Sequence, residues 1–181
     1  MLDVRWYGRG GQGAFTAARL LGQAVSVYGD SYALASPSFG PERRGAPVWS
    51  CTKIDGEKIV DRSQPVSCDY LVVLDETLVS ENMGGYLREG GVMILNTARP
   101  GKHTGVTHKL VTLNATRMAL DILGRPITNV AMLGALLGIS GLTGTAEAGR
   151  ALERTFSPSV CEKNKQLMRR AYDAVKGGAN E

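Results

Sequence analysis

The feature that most constrains this fold is a strand, a glycine-rich turn and a helix start, in that order, at the beginning of the chain. An alternating apolar run over Leu2–Tyr7 predicts the strand, and apolar residues at three- and four-residue spacing over Gly13–Tyr28 predict the helix. Between them lies Gly8-Arg9-Gly10-Gly11-Gln12-Gly13, hereafter the glycine turn. Because backbone N–H groups converge in such a turn, it is suited to binding an anion.

The spacing of the glycine turn matches G-x-G-x-x-G, which is typical of dinucleotide sites. Such a site also needs an acidic residue at the end of the second strand, where it holds the ribose hydroxyls. The second extended segment, Ser31–Ser36, ends without one, and Asp30 lies before it. A site for NADP needs a basic residue there, and Arg43 is the first. The pattern argues against NAD, NADP or flavin, and it leaves open a structural turn, another phosphate-bearing ligand, or a partner loop.

A second candidate site follows in the segment Pro37–Pro47, where prolines and glycines predict an ordered, largely extended loop. Its candidate binding residues are Phe39, Gly40, Pro41, Glu42, Arg43 and Arg44, hereafter the arginine segment. Arginine forks suit phosphate or carboxylate groups, and the flanking prolines partly preorganise Arg43 and Arg44. The alternatives are solvated charges on a surface loop, with Glu42 neutralising one arginine or pairing across a subunit interface.

The rest of the chain alternates strands and helices. Val48–Ile54, the turn Asp55-Gly56 and Lys58–Val60 predict an antiparallel hairpin. Further strands are predicted at Tyr70–Leu74, Val92–Leu95 and Lys109–Leu113, and helices at Thr77–Arg88, Ala115–Leu123, Asn129–Ile139, Thr145–Phe156 and Ser159–Lys176. We therefore expect one α/β domain over residues 1–181, with three layers, a mixed, mostly parallel sheet and one antiparallel hairpin.

Composition excludes several classes of function. The net charge of +4 comes without a basic stripe or a long Lys/Arg run, which argues against nucleic-acid binding. There is no signal peptide and no apolar run of about 18 residues, so we expect a cytoplasmic protein without membrane contact. Cys51, Cys68 and Cys161 are scattered and form no C-x-x-C, so this chain alone cannot build an iron–sulfur or zinc site.

Two other groups of polar residues are weak site candidates. His103 and His108 lie five apart without a thiol or carboxylate cluster, so solvated or locally hydrogen-bonded histidines are expected rather than metal ligands. Asp75 and Glu76 are adjacent, and a helix cap at Asp75 explains them better than a catalytic carboxylate pair. No catalytic residue is assigned from the sequence.

With these motifs in place, the chain resembles the gamma subunit of 2-oxoacid:ferredoxin oxidoreductases, in the pyruvate or 2-oxoisovalerate branch. The resemblance covers essentially the whole length, and its first and third motifs together are specific. The residues that carry it are Trp6–Gly13, Thr16–Ala18, Phe39–Val48, Val72–Asp75 and Val92–Thr97.

The resemblance implies a subunit of an enzyme that decarboxylates a 2-oxoacid oxidatively with coenzyme A, giving acyl-CoA, carbon dioxide and reduced ferredoxin. It implies that thiamine diphosphate and the [4Fe–4S] clusters lie on other subunits, so that no cofactor is bound by this chain alone and the chain is inactive alone. The implied partners are alpha, beta and ferredoxin-like delta subunits, and a homodimer of the isolated chain stays open.

The resemblance also places the gamma subunit near the thiamine site, with a part in coenzyme A access. Together with the residues, this suggests that Arg43, Arg44 and the N–H groups of Gly10 to Gly13 hold the phosphates of coenzyme A or face the cofactor-bearing subunits. Two other interpretations are kept: a free-standing nucleotide-binding protein that uses the glycine turn, and a gamma subunit of the indolepyruvate or 2-oxoglutarate type.

Overall fold

A mixed six-stranded sheet lies at the centre of the part of the chain that the computed structural model describes, which is residues 1–37, 45–103 and 108–177. The strands are β1 Leu2–Arg9, β2 Tyr32–Pro37, β3 Pro47–Asp55, β4 Cys68–Val73, β5 Leu87–Asn96 and β6 Lys109–Leu113. The helices are α1 Ala14–Ser26, α2 Ala115–Leu123, α3 Asn129–Ser140, α4 Thr145–Thr155 and α5 Pro158–Gly177. Short 3-10 segments cover Glu76–Leu78, Glu81–Tyr86 and Pro100–His103.

The strand order is β2-β3-β1-β4-β5-β6, and β3 alone runs against the others. The predicted mixed, mostly parallel sheet of an α/β domain is therefore confirmed. Because β1, β2, β4, β5 and β6 point the same way, their carboxyl ends meet at one edge of the sheet. The glycine turn follows β1 at this edge, and β2 also ends there.

The strand predicted as the first arm of a hairpin pairs with strands other than the predicted second arm. Residues 48–54 do form a strand and Asp55 ends it, but residues 58–60 form no strand. Instead β3 pairs with β2 on one side and with β1 on the other, so that Pro47 lies opposite Arg9. The turn signal at Asp55-Gly56 was real, but the following apolar residues found no free strand edge to pair with, because β2 occupies it.

The sheet is covered on both faces, and the two covers differ. The helices pack on the face that carries Val4, Trp6, Val72 and Ile94, while 3-10 segments cover the opposite face. The helix predicted over Thr77–Arg88 is therefore wrong. That stretch holds the glycine pair at residues 84–85, and glycine disfavours a continuous helix.

Helix α1 is tied to the sheet by a buried polar chain. The indole N–H of Trp6 donates to the hydroxyl of Thr52 at 3.1 Å, and that hydroxyl donates to the carbonyl of Ala18 at 3.0 Å. All three residues are fully buried. Buried polar groups must be hydrogen-bonded. These two hydrogen bonds therefore fix the position of α1, and with it the end of the glycine turn, relative to β1 and β3.

Candidate functional site

The glycine turn takes a backbone conformation that needs its last glycine. Gly11 has φ +95° and Gly13 has φ +82°, both in the left-handed region. A Cβ at Gly13 would also lie 2.5 Å from the amide nitrogen of Asn129, the first residue of α3. Glycine at position 13 therefore lets α1 begin directly beside the start of α3.

Helix α1 begins at the glycine turn without a cap. No side chain of the described residues caps its N-terminus, and no acidic residue lies in its first turn. The first N–H groups of a helix have no acceptor within the helix, and the helix dipole adds positive potential there. The start of α1 therefore has the positive potential that an anion site would use, and anion binding by the turn stays a prediction.

The carboxylate of Asp75 joins the glycine turn to the end of β4. Its Oδ2 accepts hydrogen bonds from Arg9 Nε at 3.1 Å and from Gln12 Nε2 at 3.0 Å. Its Oδ1 accepts from the N–H and the hydroxyl of Thr77, at 3.0 Å and 2.6 Å. The predicted cap at Asp75 is thus present, although it caps a 3-10 segment. The cap accounts for the two hydrogen bonds from Thr77, and the glycine turn supplies the two from Arg9 and Gln12.

Asp75 stays ionised in these surroundings. Burial raises the pKa of its carboxyl group, but the hydrogen bonds from Thr77 and Gln12 and the charge of Arg9 together lower it below the ordinary value. The negative charge of Asp75 is therefore available to orient Arg9 and Gln12 at neutral pH.

Gln12 and Arg9 also close the turn on itself. The side-chain oxygen of Gln12 accepts from the backbone N–H of Arg9 at 2.8 Å. Arg9 reaches further with its two other nitrogens, donating to the carbonyl of Gly45 at 3.1 Å and to the hydroxyl of Thr77 at 2.8 Å. Both side chains are therefore engaged in closing the turn and in joining it to Gly45 and Thr77.

The glycine turn is joined to the chain that follows the arginine segment. The N–H of Gly10 donates to the carbonyl of Ala46 at 2.9 Å, and the N–H of Gly45 donates to the carbonyl of Gly10 at 3.2 Å. Gly45 and Ala46 therefore lie beside the glycine turn at one edge of the sheet. The arginine segment itself lies outside the described residues, and this applies to each of its candidate residues, Phe39, Gly40, Pro41, Glu42, Arg43 and Arg44.

A cleft of about 610 Å³, hereafter the basic cleft, opens beside the glycine turn. Its apolar wall includes Ile127 and Val160, which are 46% and 43% exposed. Arg125 and Lys163 line it as well, and neither has an acidic partner among the described residues. Sequence analysis missed these residues, because each is an ordinary surface residue of a loop or helix until the fold places it beside Gly13.

A second cleft of about 550 Å³, hereafter the polar cleft, lies over the ends of β4 and β5. Glu76 on its wall accepts hydrogen bonds from Thr97 and Arg99, and it lies 3.4 Å from His103. These contacts lower the pKa of Glu76 to about 2, with the hydrogen bonds from Thr97 and Arg99 as the main causes. The ring of His103 is hydrogen-bonded, as one of the two expected alternatives has it, but its partner is the carboxylate of Glu76 rather than a group near it in the sequence.

The strand order gives a physical reason against a dinucleotide at the glycine turn. In a dinucleotide-binding fold the strand after the first helix lies next to β1, so that its last residue reaches the ribose. Here β3 lies between β1 and β2, which puts the end of β2 about 10 Å from β1. The residue at that end is Pro37, which has no polar side chain.

The residues of this chain do not fit an iron–sulfur cluster. Cys51, Cys68 and Cys161 lie on β3, β4 and α5, and all three are buried. Within residues 1–37, 45–103 and 108–177, no group of three metal-ligating side chains comes together. Clusters that the resemblance implies would therefore need ligands from other chains.

Comparisons with known proteins agree with this fold. Residues 3–174 match the family described as pyruvate ferredoxin/flavodoxin oxidoreductase. Fold and sequence define a subunit of an oxidoreductase acting on 2-oxoacids, and the chain belongs to that family. More particularly, it is a subunit of the gamma type, as the relatives described next indicate.

Pyruvate synthase subunit PorC of Methanothermobacter marburgensis is 45% identical over 177 residues, covering 97% of this chain and 98% of the relative. The pyruvate/ketoisovalerate oxidoreductases common subunit gamma of Pyrococcus furiosus is 41% identical, with 96% of each chain covered. The crystal structure of the pyruvate oxidoreductase subunit PORC of Thermotoga maritima superposes with a TM-score of 0.84 at 34% identity, covering 95% of each chain. Among the described residues, no helix has the length and apolar character that crossing a membrane requires.

Proposed function

We propose that this gamma subunit serves the oxidative decarboxylation of pyruvate with coenzyme A, which yields acetyl-CoA, carbon dioxide and reduced ferredoxin. The observation that carries the proposal is the full-length similarity to subunits named for pyruvate, at 45% identity in the methanogen relative. The partners are alpha, beta and ferredoxin-like delta subunits in the cytoplasm, and these hold thiamine diphosphate and the [4Fe–4S] clusters. The unit that acts in this assembly is one domain over residues 1–181.

Within this assembly, the glycine turn and the arginine segment bind the phosphates of coenzyme A. The N–H groups of Gly10 and Gln12 already donate to the carbonyls of Ala46 and Arg9, so the turn offers those of Gly11 and Gly13, and Arg43 and Arg44 supply guanidinium forks. The hydrogen bonds between Gly10 and Gly45–Ala46 support the proposal, because they hold the two residues that follow the arginine segment in the sequence next to the turn. Arg125 and Lys163 add positive charge on the same side.

The test is an assembled complex in which the gamma subunit carries Arg43→Ala and Arg44→Ala. Loss of charge-assisted hydrogen bonds to phosphate is expected to raise the KM for coenzyme A about tenfold or more, without a matching change in the KM for the 2-oxoacid. The matched control removes two exposed cations of the segment after β3, with Lys58→Ala and Arg62→Ala. An unchanged KM for coenzyme A in the arginine variant would rule out this binding role.

The interpretation as a free-standing nucleotide-binding protein is not favoured, because β3 separates β1 from the end of β2. Substrate choice between pyruvate and other 2-oxoacids is a property of the other subunits in this proposal. The isolated chain is expected to retain neither NAD nor FAD after purification, which absorbance spectroscopy checks directly.

A further inference from the structure

We propose that Asp75 is a positioning residue of this enzyme: its carboxylate holds the glycine turn in the shape that binds coenzyme A. The inference rests on the proposed function of the glycine turn. It adds a residue that belongs neither to the glycine turn nor to the arginine segment. Asp75 follows β4, which lies next to β1 in the sheet. It therefore approaches the turn from the neighbouring strand.

The first argument is the number of donors that this carboxylate accepts. Arg9 and Gln12 both donate to Oδ2, and Thr77 donates twice to Oδ1. The side chain is also 17% exposed, so it has little contact with water. With both oxygens occupied, Asp75 is placed to hold other groups rather than to react with a substrate.

The second argument concerns the other hydrogen bonds that Arg9 and Gln12 make. Gln12, held by Asp75 through its nitrogen, accepts the backbone N–H of Arg9 through its oxygen. Arg9, held by Asp75 through Nε, donates to the carbonyl of Gly45 with another nitrogen. One carboxylate thus sets both the fold of the turn and its junction with the chain that enters β3.

The third argument is that only a carboxylate satisfies this arrangement. An amide at position 75 offers one acceptor oxygen and one donor NH₂. Whichever way it is turned, its NH₂ faces donors: those of Arg9 and Gln12 on one side, or the N–H of Thr77 on the other. Asp75→Asn therefore breaks the network while it keeps nearly the same volume.

The geometry allows a test by exchange of polarity. Gln12→Glu alone puts two carboxylates about 3 Å apart, which repel each other. Combined with Asp75→Asn, the new carboxylate at position 12 accepts from the amide at position 75 and still accepts from Arg9 N–H. The double variant rebuilds the link between positions 12 and 75 with donor and acceptor exchanged, but Arg9 Nε still faces the amide NH₂, so only part of the network is restored.

The experiment measures kcat, the KM for coenzyme A and the KM for the 2-oxoacid in the assembled complex. The variants are Asp75→Asn, Gln12→Glu and the double variant, and the thermal midpoint of each is recorded. The matched control is Asp121→Asn, which makes the same change at a carboxylate of α2 with two arginine partners. Each single variant is expected to raise the KM for coenzyme A about tenfold, and the double variant to recover to within about threefold of wild type.

A fall in kcat together with a rise in both KM values, without recovery in the double variant, would mean that Asp75 is only structural. That result would overturn the inference. If the arginine variant raises the KM for coenzyme A but Asp75→Asn does not, the inference fails and the proposed function stands. If Asp75→Asn shows the effect and the arginine variant does not, the arginine role fails and the inference stands. If neither variant changes the KM for coenzyme A, both the inference and the proposed role of the arginines are wrong.

Discussion

At the scale of single residues, the candidate site depends on contacts that join distant parts of the sequence. Asp75 accepts from Arg9 and Gln12, more than 60 positions earlier, and Gly13 lies against Asn129. None of these pairs is visible in a pattern of glycines. The glycines themselves were predicted for their turn, and the positive φ of Gly11 and Gly13 agrees with that use.

Gly13→Ala is expected to destabilise the protein more than Gly11→Ala. Both positions have positive φ, which costs an alanine about 1 kcal/mol or more. A Cβ at Gly13 also meets the buried side chain of Asn129, whereas a Cβ at Gly11 meets no atom of the described residues within 4 Å. We expect losses of about 2–3 kcal/mol and about 1 kcal/mol in the free energy of unfolding, measured by urea titration. Equal losses would show that the contact with Asn129 is easily relieved.

At the scale of elements, the helix pair α3 and α5 depends on two glycines. Helix α3 is buried over residues 129–137 because the sheet lies on one side and α5 on the other. Gly134 and Gly138 lie four residues apart in α3, a spacing that favours close packing of a buried helix against a neighbour. The structure identifies the neighbour, since a Cβ at Gly134 would lie 2.2 Å from the carbonyl oxygen of Met168 in α5.

Gly134→Ala should therefore push α3 and α5 apart. The obstructing atom belongs to the backbone and cannot rotate away, so we expect a loss of about 3 kcal/mol in the free energy of unfolding. Gly149→Ala in α4 is the control, because the nearest atom to its Cβ is 3.7 Å away, on Lys165. That variant should gain about 0.5–1 kcal/mol from helix propensity. A neutral Gly134→Ala in the same denaturation series would contradict this account of the helix pair.

At the scale of the whole molecule, three thiols on three different elements report on the integrity of the fold. Cys51, Cys68 and Cys161 are buried on β3, β4 and α5. Burial raises the pKa of Cys51 to about 12 and that of Cys68 to about 11, and it raises the pKa of Cys161 as well. A raised thiol pKa leaves less of the reactive thiolate at any given pH.

We expect no thiol of the native protein to react quickly with Ellman's reagent at mildly alkaline pH, and all three to react in denaturing urea. Labelling across a urea titration should follow the loss of circular dichroism, because the three sites become exposed together in a cooperative transition. Rapid labelling of one cysteine in the native protein would show that its element opens separately from the rest.

Apolar spacing and the positions of turn residues were sufficient to predict the strands β1, β4, β5 and β6, the helices α1 to α5, and the α/β class. Local apolar spacing reports which residues are buried, and this is what it predicted correctly. It failed at Thr77–Arg88 and at the second arm of the hairpin. There, the choice between local structures depended on which sheet face and which strand edge remained free.

By itself, the sequence determined the glycine turn, the α/β class and the family resemblance, because these depend on residues that are neighbours in the chain. Only the tertiary structure decided that β3 lies between β1 and β2, that Asp75 holds Arg9 and Gln12, and that Arg125 and Lys163 line a cleft beside the turn. Strand order and side-chain contacts result from packing the whole chain at once. Such non-local choices leave no periodic signal in the residues that make them.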